Sequence, residues 1–429
     1  MAFISRLIGC HCVQSAITLV ALAALAATSA FAQSTVTISG NVDLGMQTTK
    51  TTGVERADYT MNSGAETTRK TKSPVGNGAQ GWSSSALNLD VVEDLGNGTK
   101  AGYSAGMNLF SWGAAADSAN QTLNTGRHSY MFLGDVKLGE VRLGYQYTLD
   151  DQIQAGARVG SANVGGRVQN FSIAAQPNIS SATFTAPVVA REGAQNVTAG
   201  NVTRANAIQY ASPVISGFQG LVQTATQYDD TTDADAGNAA GKATAKLSSA
   251  AIKYINGPLT LGYADTTIKG DASSYASATG AAQTKQKLKN FAAAYTIGDA
   301  TIVYNQFSRK LTMEALGADF DGSYANSVYG RFDDNGSLKR TGRDLGAKYA
   351  IGKTTLFASV GSGKYTPDFA GTGSVDIKIK ARQYGVTYSL SKRTSLNAYA
   401  SSTKAAADGT VLTSDLKKTV TGFGLAHSF

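Results

Sequence analysis

Chemistry on a protein surface needs a nucleophile beside a base, a set of metal donors, or charges held where a solute must pass. This chain is poor in the first two. Its cysteines, Cys10 and Cys12, both precede Gln33, and beyond that point imidazole occurs only at His128 and His427. His128 is followed by Ser129, so in an extended segment their side chains point to opposite faces. No phosphate-cradling loop, dinucleotide fingerprint or clustered metal-donor spacing is present. The chain therefore reads as no enzyme, with no cofactor and no bound metal. Charge remains: Arg142, Asp150, Asp151, Arg158 and Arg167 follow one another with both signs represented, which suits electrostatic selection of a solute.

The elements that position these charges begin after a leader. Residues 1–32 carry Arg6, an apolar run from Ala16 to Ala27, and Ala30-Phe31-Ala32 before Gln33, the pattern of a cleavable secretory signal. The run is far shorter than the roughly 20 residues of a spanning helix. Leu7-Ile8-Gly9-Cys10 looks like a lipoprotein box, but almost nothing apolar precedes it. Removing Arg6 leaves 37 Lys plus Arg against 30 Asp plus Glu, a net of +7. That excess is dispersed and forms no block of the kind that grips nucleic acid. Residues 33–429 hold no apolar run long enough for a transmembrane helix.

Period-two alternation fills that region instead. Val36, Ile38, Val42, Leu44 and Met46 take one parity against Thr37, Ser39, Asn41 and Asp43. Leu87, Leu89 and Val91 continue it; then Leu95-Gly96-Asn97-Gly98 turns into Ala101, Tyr103, Ala105, Met107 and Leu109. A membrane strand crosses in about 9 to 11 residues with one face to lipid and one to the lumen. Further segments run near 127–135, 140–147, 204–211, 217–228, 247–255, 259–268, 289–297, 300–307, 343–351, 354–361, 380–388, 394–401 and 418–429, giving sixteen strands. An even count brings both ends of an antiparallel barrel to one side, and closure leaves no unpaired edge in lipid. All six prolines fall outside these segments, as expected of a residue without an N–H. Short turns alternate with long polar connections; the longest, Thr148 to Thr203, would narrow the pore if it folded inward.

These segments resemble the trimeric general porins of Gram-negative bacteria, of the β-proteobacterial type. The resemblance rests on Gln33-Ser34-Thr35-Val36-Thr37-Ile38-Ser39-Gly40 with Asp43, on Glu93-Asp94-Leu95-Gly96-Asn97-Gly98, and on Leu138-Gly139-Glu140-Val141-Arg142-Leu143-Gly144-Tyr145-Gln146-Tyr147. Arg204 to Pro213, Tyr388-Ser389-Leu390-Ser391-Lys392-Arg393-Thr394 and the ending at Phe429 follow in the same order. The resemblance implies a sixteen-stranded antiparallel transmembrane β-barrel in the outer membrane, assembled as a homotrimer, with long extracellular loops and a third loop folded inward. It implies a water-filled channel for ions and small hydrophilic solutes, with outer-membrane lipid and the barrel-assembly machinery as partners. Phe423, Leu425, His427 and Phe429, at alternate positions, resemble the C-terminal signal read by that machinery.

In such a pore, loop acids face wall bases and set up a transverse field. Arg142 and Gln146 take lumen parity against Val141, Leu143, Tyr145 and Tyr147. Arg142 is the expected wall base, Asp150 and Asp151 the acids facing it, and Arg158 and Arg167 further members of the constriction. Where relatives carry an arginine ladder this chain has Ala86, Asp90, Tyr145 and Gln209, although Lys253 and Lys348 keep lumen parity. Alternatives stand beside the general porin: a substrate-specific channel or a barrel whose loops mainly bind a partner, and a hydrolase, which a structure bringing His128 to a serine and a carboxylate would favour.

Overall fold

The computed structural model describes residues 34–53, 67–75, 85–109, 124–157, 159, 204–231, 241–271, 281–316, 336–369, 373–374, 376–407 and 416–429. The expected leader, residues 1–32, lies outside them, as do Arg158 and Arg167. The first strands are β1 (Thr35–Gly53), β2 (Thr67–Val75), β3 (Ala86–Gly96), β4 (Thr99–Asn108), β5 (Asn124–Asp135) and β6 (Gly139–Tyr147). A short helix, α1 (Leu149–Ala155), opens the third long connection. There follow β7 (Arg204–Ala211), β8 (Phe218–Thr231), β9 (Gly241–Asn256), β10 (Leu259–Asp271), β11 (Ala281–Ile297) and β12 (Ala300–Leu316). The last are β13 (Gly336–Ile351), β14 (Thr354–Phe369), β15 (Gly373–Ser374), β16 (Ile377–Ser389), β17 (Thr394–Ala407) and β18 (Leu416–Ser428).

Sixteen of these form one closed antiparallel barrel. The other two are additions at the long-loop end: β2 pairs the upper half of β1, and β15 bridges the end of β14. Alternation drives the arrangement. Along β7, Ala205, Ala207, Gln209 and Ala211 are buried while Ile208 and Tyr210 are exposed. Exposed Ile, Leu, Val and Tyr recur on the outward parity around the ring, from Val36 and Ile38 to Phe423 and Leu425. In water such a surface would be a liability; against hydrocarbon it is the favoured one. The inner face carries Gln, Asn, Ser and Thr, and no helix among the described residues is long and apolar enough to cross a membrane.

Several strands run well past their expected ends. β11 begins at Ala281 rather than near Lys289, and β9, β12, β13 and β14 also extend at the long-loop end. At and beyond these expected strand ends the pattern inverts. Leu247, Ile268, Leu288 and Leu311 are buried inside, while Lys246, Lys269, Lys287 and Lys310 point out and are exposed. A search for outward apolar residues stops where the inversion starts. Pro74 and Pro367 lie inside strands, near the ends of β2 and β14, and not outside them as expected. Pro367 pairs with Leu338 at the long-loop end of β14, and Pro74 with Met46 at the lower end of β2; at a strand end a missing donor costs little.

Closure joins β1 to β18 in register from Asn41↔Ser428 to Thr52↔Lys417. At its lower end Gly40 and Phe429 exchange both backbone hydrogen bonds at 3.0 Å. Gly40 is required there by space: a Cβ would stand 2.5 Å from the Ala86 carbonyl oxygen and 2.6 Å from the Phe429 ring. Gly40→Val should therefore destabilise the closed barrel by about 1–3 kcal/mol, read as a lower temperature at which the compact band disappears in detergent gels. An unchanged temperature would show that the seam does not depend on this contact.

Candidate functional site

The site is the lumen where the third connection enters it. Thr148 caps α1, its Oγ1 accepting from the Asp151 amide at 3.4 Å, and Asp150 and Asp151 occupy the first turn, where the helix dipole favours negative charge. Leu149, Ile153, Ala157 and Val159 are buried in a cluster with inward residues including Leu221, Ala264, Ala292, Val303 and Phe357. Two wall glycines make room. A Cβ on Gly262 would lie 2.9 Å from Ile153 Cδ1, and one on Gly346 2.4 Å from Val159 Cγ2. Val159 also accepts from Gln383 Nε2 of β16 at 3.2 Å. The segment thus leaves β6, packs along β8 to β11 and reaches β13 and β16, crossing the lumen.

Polar side chains fasten it. Gln152 Nε2 donates to Gln209 Oε1 at 2.8 Å and to the Tyr147 carbonyl at 3.0 Å. Gln223 Nε2 donates to the same two acceptors at 3.2 and 3.0 Å. Gln209 Oε1 thus anchors the helix to β7. Asn290 Nδ2 donates to the Asp150 carbonyl at 3.3 Å. Arg309 Nη2 donates to Asp150 Oδ2 at 3.2 Å, with side-chain exposures of 0% and 2%. Burial pushes the Asp150 carboxyl up from its ordinary value and the neighbouring Asp151 adds to this, while the Arg309 guanidinium opposes both.

The charges are paired differently from the sequence-based expectation. Arg142 does face the lumen, but its Nε meets Glu140 Oε1 at 2.5 Å and its guanidinium lies 5.0 Å from the centre of the Tyr130 ring. Asp150 turns instead to Arg309, and Asp151 is buried beside it. Glu140 sits two residues from Arg142 on the same face, so parity alone could have found it. Arg309 is 159 residues from Asp150, inside an extension where the pattern is inverted, and no local signal marks it. Arg142 remains close to the anchor of α1, since it pairs across the strands with Gln209.

His128 Nε2 lies 3.1 Å from Ser104 Oγ, which donates to Asp90 Oδ1 at 2.6 Å. This meets the distance condition set for a hydrolase, but the order is wrong. Nucleophilic catalysis needs imidazole between serine and carboxylate. Here serine is in the middle, its proton goes to Asp90, and Ser104 is only 7% exposed. Among the described residues no cluster of metal donors occurs.

Residues 18–408 match the model of the Gram-negative porin family. The chain belongs to that family. This porin forms an outer-membrane channel for passive diffusion rather than an enzyme's active site. Its fold is similar to that of an anion-selective porin from Comamonas acidovorans, at 20% identity and a TM-score of 0.57, covering 92% of this chain and 100% of that one. It is also similar to OmpT, an outer-membrane protein of Vibrio cholerae solved in its trimer form, at 13% identity and a TM-score of 0.53, covering 92% and 99%. No curated protein matches the chain.

Replacing Arg309 by Leu leaves a buried carboxylate without its partner, a loss of about 3–5 kcal/mol to the docking of α1. Single-channel recordings should then show larger and noisier currents. Adding Asp150→Asn should restore quieter currents; if the double variant is as noisy as the single, the pair does not hold the helix.

Proposed function

We propose that this porin is a weakly selective general channel whose narrowest point lies where α1 and Val159 cross the lumen. Arg142, Asp150, Asp151, Arg158 and Arg167 set the field there, and ions and small hydrophilic solutes are the cargo. The observation that carries the reading is the seating of the third connection against a polar inner wall, by Gln152, Asp150 and Val159. A passage lined by amides and hydroxyls, with charges of both signs, favours polar solutes without a single fixed ligand. Three subunits associate, a reading supported by the trimer form of the Vibrio relative. Phe423, Leu425, His427 and Phe429 act as the signal for barrel assembly. All four are exposed on the outward face, and His427 Nδ1 lies 2.9 Å from Thr394 Oγ1.

Purified protein in planar bilayers should give stable conductance steps in groups of three, with no saturable block by any one solute. A saturable block would instead mark a substrate-specific channel. Arg142→Ala leaves the Glu140 carboxylate alone on the wall, so the zero-current potential in a salt gradient should move towards cations. The expected change in permeability ratio is about twofold, the scale of a half-exposed charge contributing ~0.5 kcal/mol. An unmoved potential would take Arg142 out of the constriction. Replacing Phe423 and Leu425 together by Ala should lower the yield of assembled barrel in cells while refolding in detergent is unaffected; equal yields in cells would remove the signal role.

A further inference from the structure

Two lysines on the inner wall take no part in closing the barrel or in seating α1. Lys253 of β9 and Lys348 of β13 point into the lumen, each three residues short of the end of its strand at a short turn, Asn256 and Ile351. Lys253 lies directly opposite Gly262, the glycine against which Ile153 packs. Lys348 follows Gly346, the glycine that receives Val159, by two residues. It therefore stands about 7 Å nearer the short turns, at ~3.3 Å per residue. The segment that crosses the lumen has one lysine beside its α1 end and the other beneath its Val159 end.

The two sides of the crossing differ in charge. On its long-loop side β12 and β13 carry Arg309, Arg340 and Asp344, all buried, and Arg309 is paired with Asp150. On its short-turn side Lys253 is half-buried and Lys348 is exposed. Across the neighbouring strands Lys253 faces Gln219 and Gly262, and Lys348 faces Thr301 and Phe357. None of these four is acidic, and among the described residues neither lysine forms an ion pair. Arg142 differs, because Glu140 lies against it and offsets much of its charge. An uncompensated charge in a water-filled cleft with low-dielectric walls raises the local concentration of its counter-ion. β9 and β13 are four strands apart in the ring, so the lysines do not clamp one ligand between them; they charge one side of the passage.

We propose that Lys253 and Lys348 form a cationic level on the short-turn side of the constriction, which favours small anions and makes the current depend on its direction. This rests on the channel reading above and adds to it a second selective level, present on one side only. Anions gathered at the lysines are fed into the constriction when the applied field drives them towards the long-loop end. Under the opposite polarity they arrive from the side where the charges are buried, and fewer enter.

The test uses single channels of the whole protein in planar bilayers, with equal potassium chloride on both sides and currents compared at opposite polarities. At about 0.01 M salt, where the Debye length is about 30 Å, the two currents should differ by about twofold. At about 1 M, where it is about 3 Å, they should be equal. Lys253→Gln/Lys348→Gln should give equal currents at both concentrations. In a salt gradient its anion-to-cation permeability ratio should fall by roughly threefold, a little under twofold for each lysine. Lys246→Gln/Lys269→Gln removes the same charge from the outward face of β9 and β10 and should change neither reading. Equal currents from the parent at low salt, asymmetry that persists in the lumen variant, or an equal effect of the outward variant would each overturn the proposal. Should the lumen variant not fold, the salt dependence of the parent and the retention of asymmetry by Lys253→Arg/Lys348→Arg still decide. A parent with no conductance steps at all would sink the channel reading instead, so the two failures are distinguishable.

Discussion

A backbone in hydrocarbon has no water to bond with, so every N–H and C=O within the bilayer must find a partner in the protein. Everything else in this structure is arranged around that requirement. Strands satisfy it only as a closed ring, and the ring is closed here by the long register between β1 and β18 and by the exchange between Gly40 and Phe429. Phe429 is thus part of the seam, and its pairing with Gly40 completes the ring. Once the ladder is closed, the side chains are released from backbone duty, and each face can be chosen for what it meets.

The inner face meets water and the third connection. Amides are prominent on it because one oxygen can serve two donors, as Gln209 Oε1 does in accepting from both Gln152 and Gln223. A wall of arginines at the same level would repel itself and hold the helix less specifically. The buried pair of Asp150 and Arg309 is costly to desolvate, and its value lies in registry: it fixes one end of α1 to one strand. Apolar contacts by Leu149 and Ile153 supply the holding force, and the close approaches at Gly262 and Gly346 fix its depth. Stability and position therefore come from different residues of the same short segment.

The barrel was legible in the sequence because period-two alternation, repeated along the whole chain, requires sheet with a different medium on each face. Strand number and order followed from it, and so did the lumenal side of Arg142. Strand length did not follow. Above the bilayer the outward residues of β9 to β12 change from apolar to lysine, while Leu247, Ile268, Leu288 and Leu311 appear among the inward polar ones, so the signal weakens and cancels. Pairings within the lumen were legible only where both partners lay on one strand, as with Glu140 and Arg142. Asp150 with Arg309, and His128 with Ser104 and Asp90, depend on which strands the ring makes neighbours or brings face to face across the lumen.

The reversal also carries information about the surroundings. A strand that continues unchanged in backbone geometry from Ile297 to Ala281 keeps the same ladder throughout. Hydrogen bonding therefore cannot be what changes its outward residues from Ile297, Tyr295 and Phe291 to Lys289, Lys287 and Lys285. Only the medium outside the barrel differs along that length. Hydrocarbon rewards an outward aromatic or aliphatic side chain and penalises an ammonium, whereas a layer of phosphates does the opposite. The switch recurs on strands well apart in the ring, on β12 between Ile302 and Lys310 and on β17 between Leu396 and Lys404. A boundary shared by strands far apart in sequence is a property of the membrane. The side-chain alternation that specifies the fold also records where the bilayer ends.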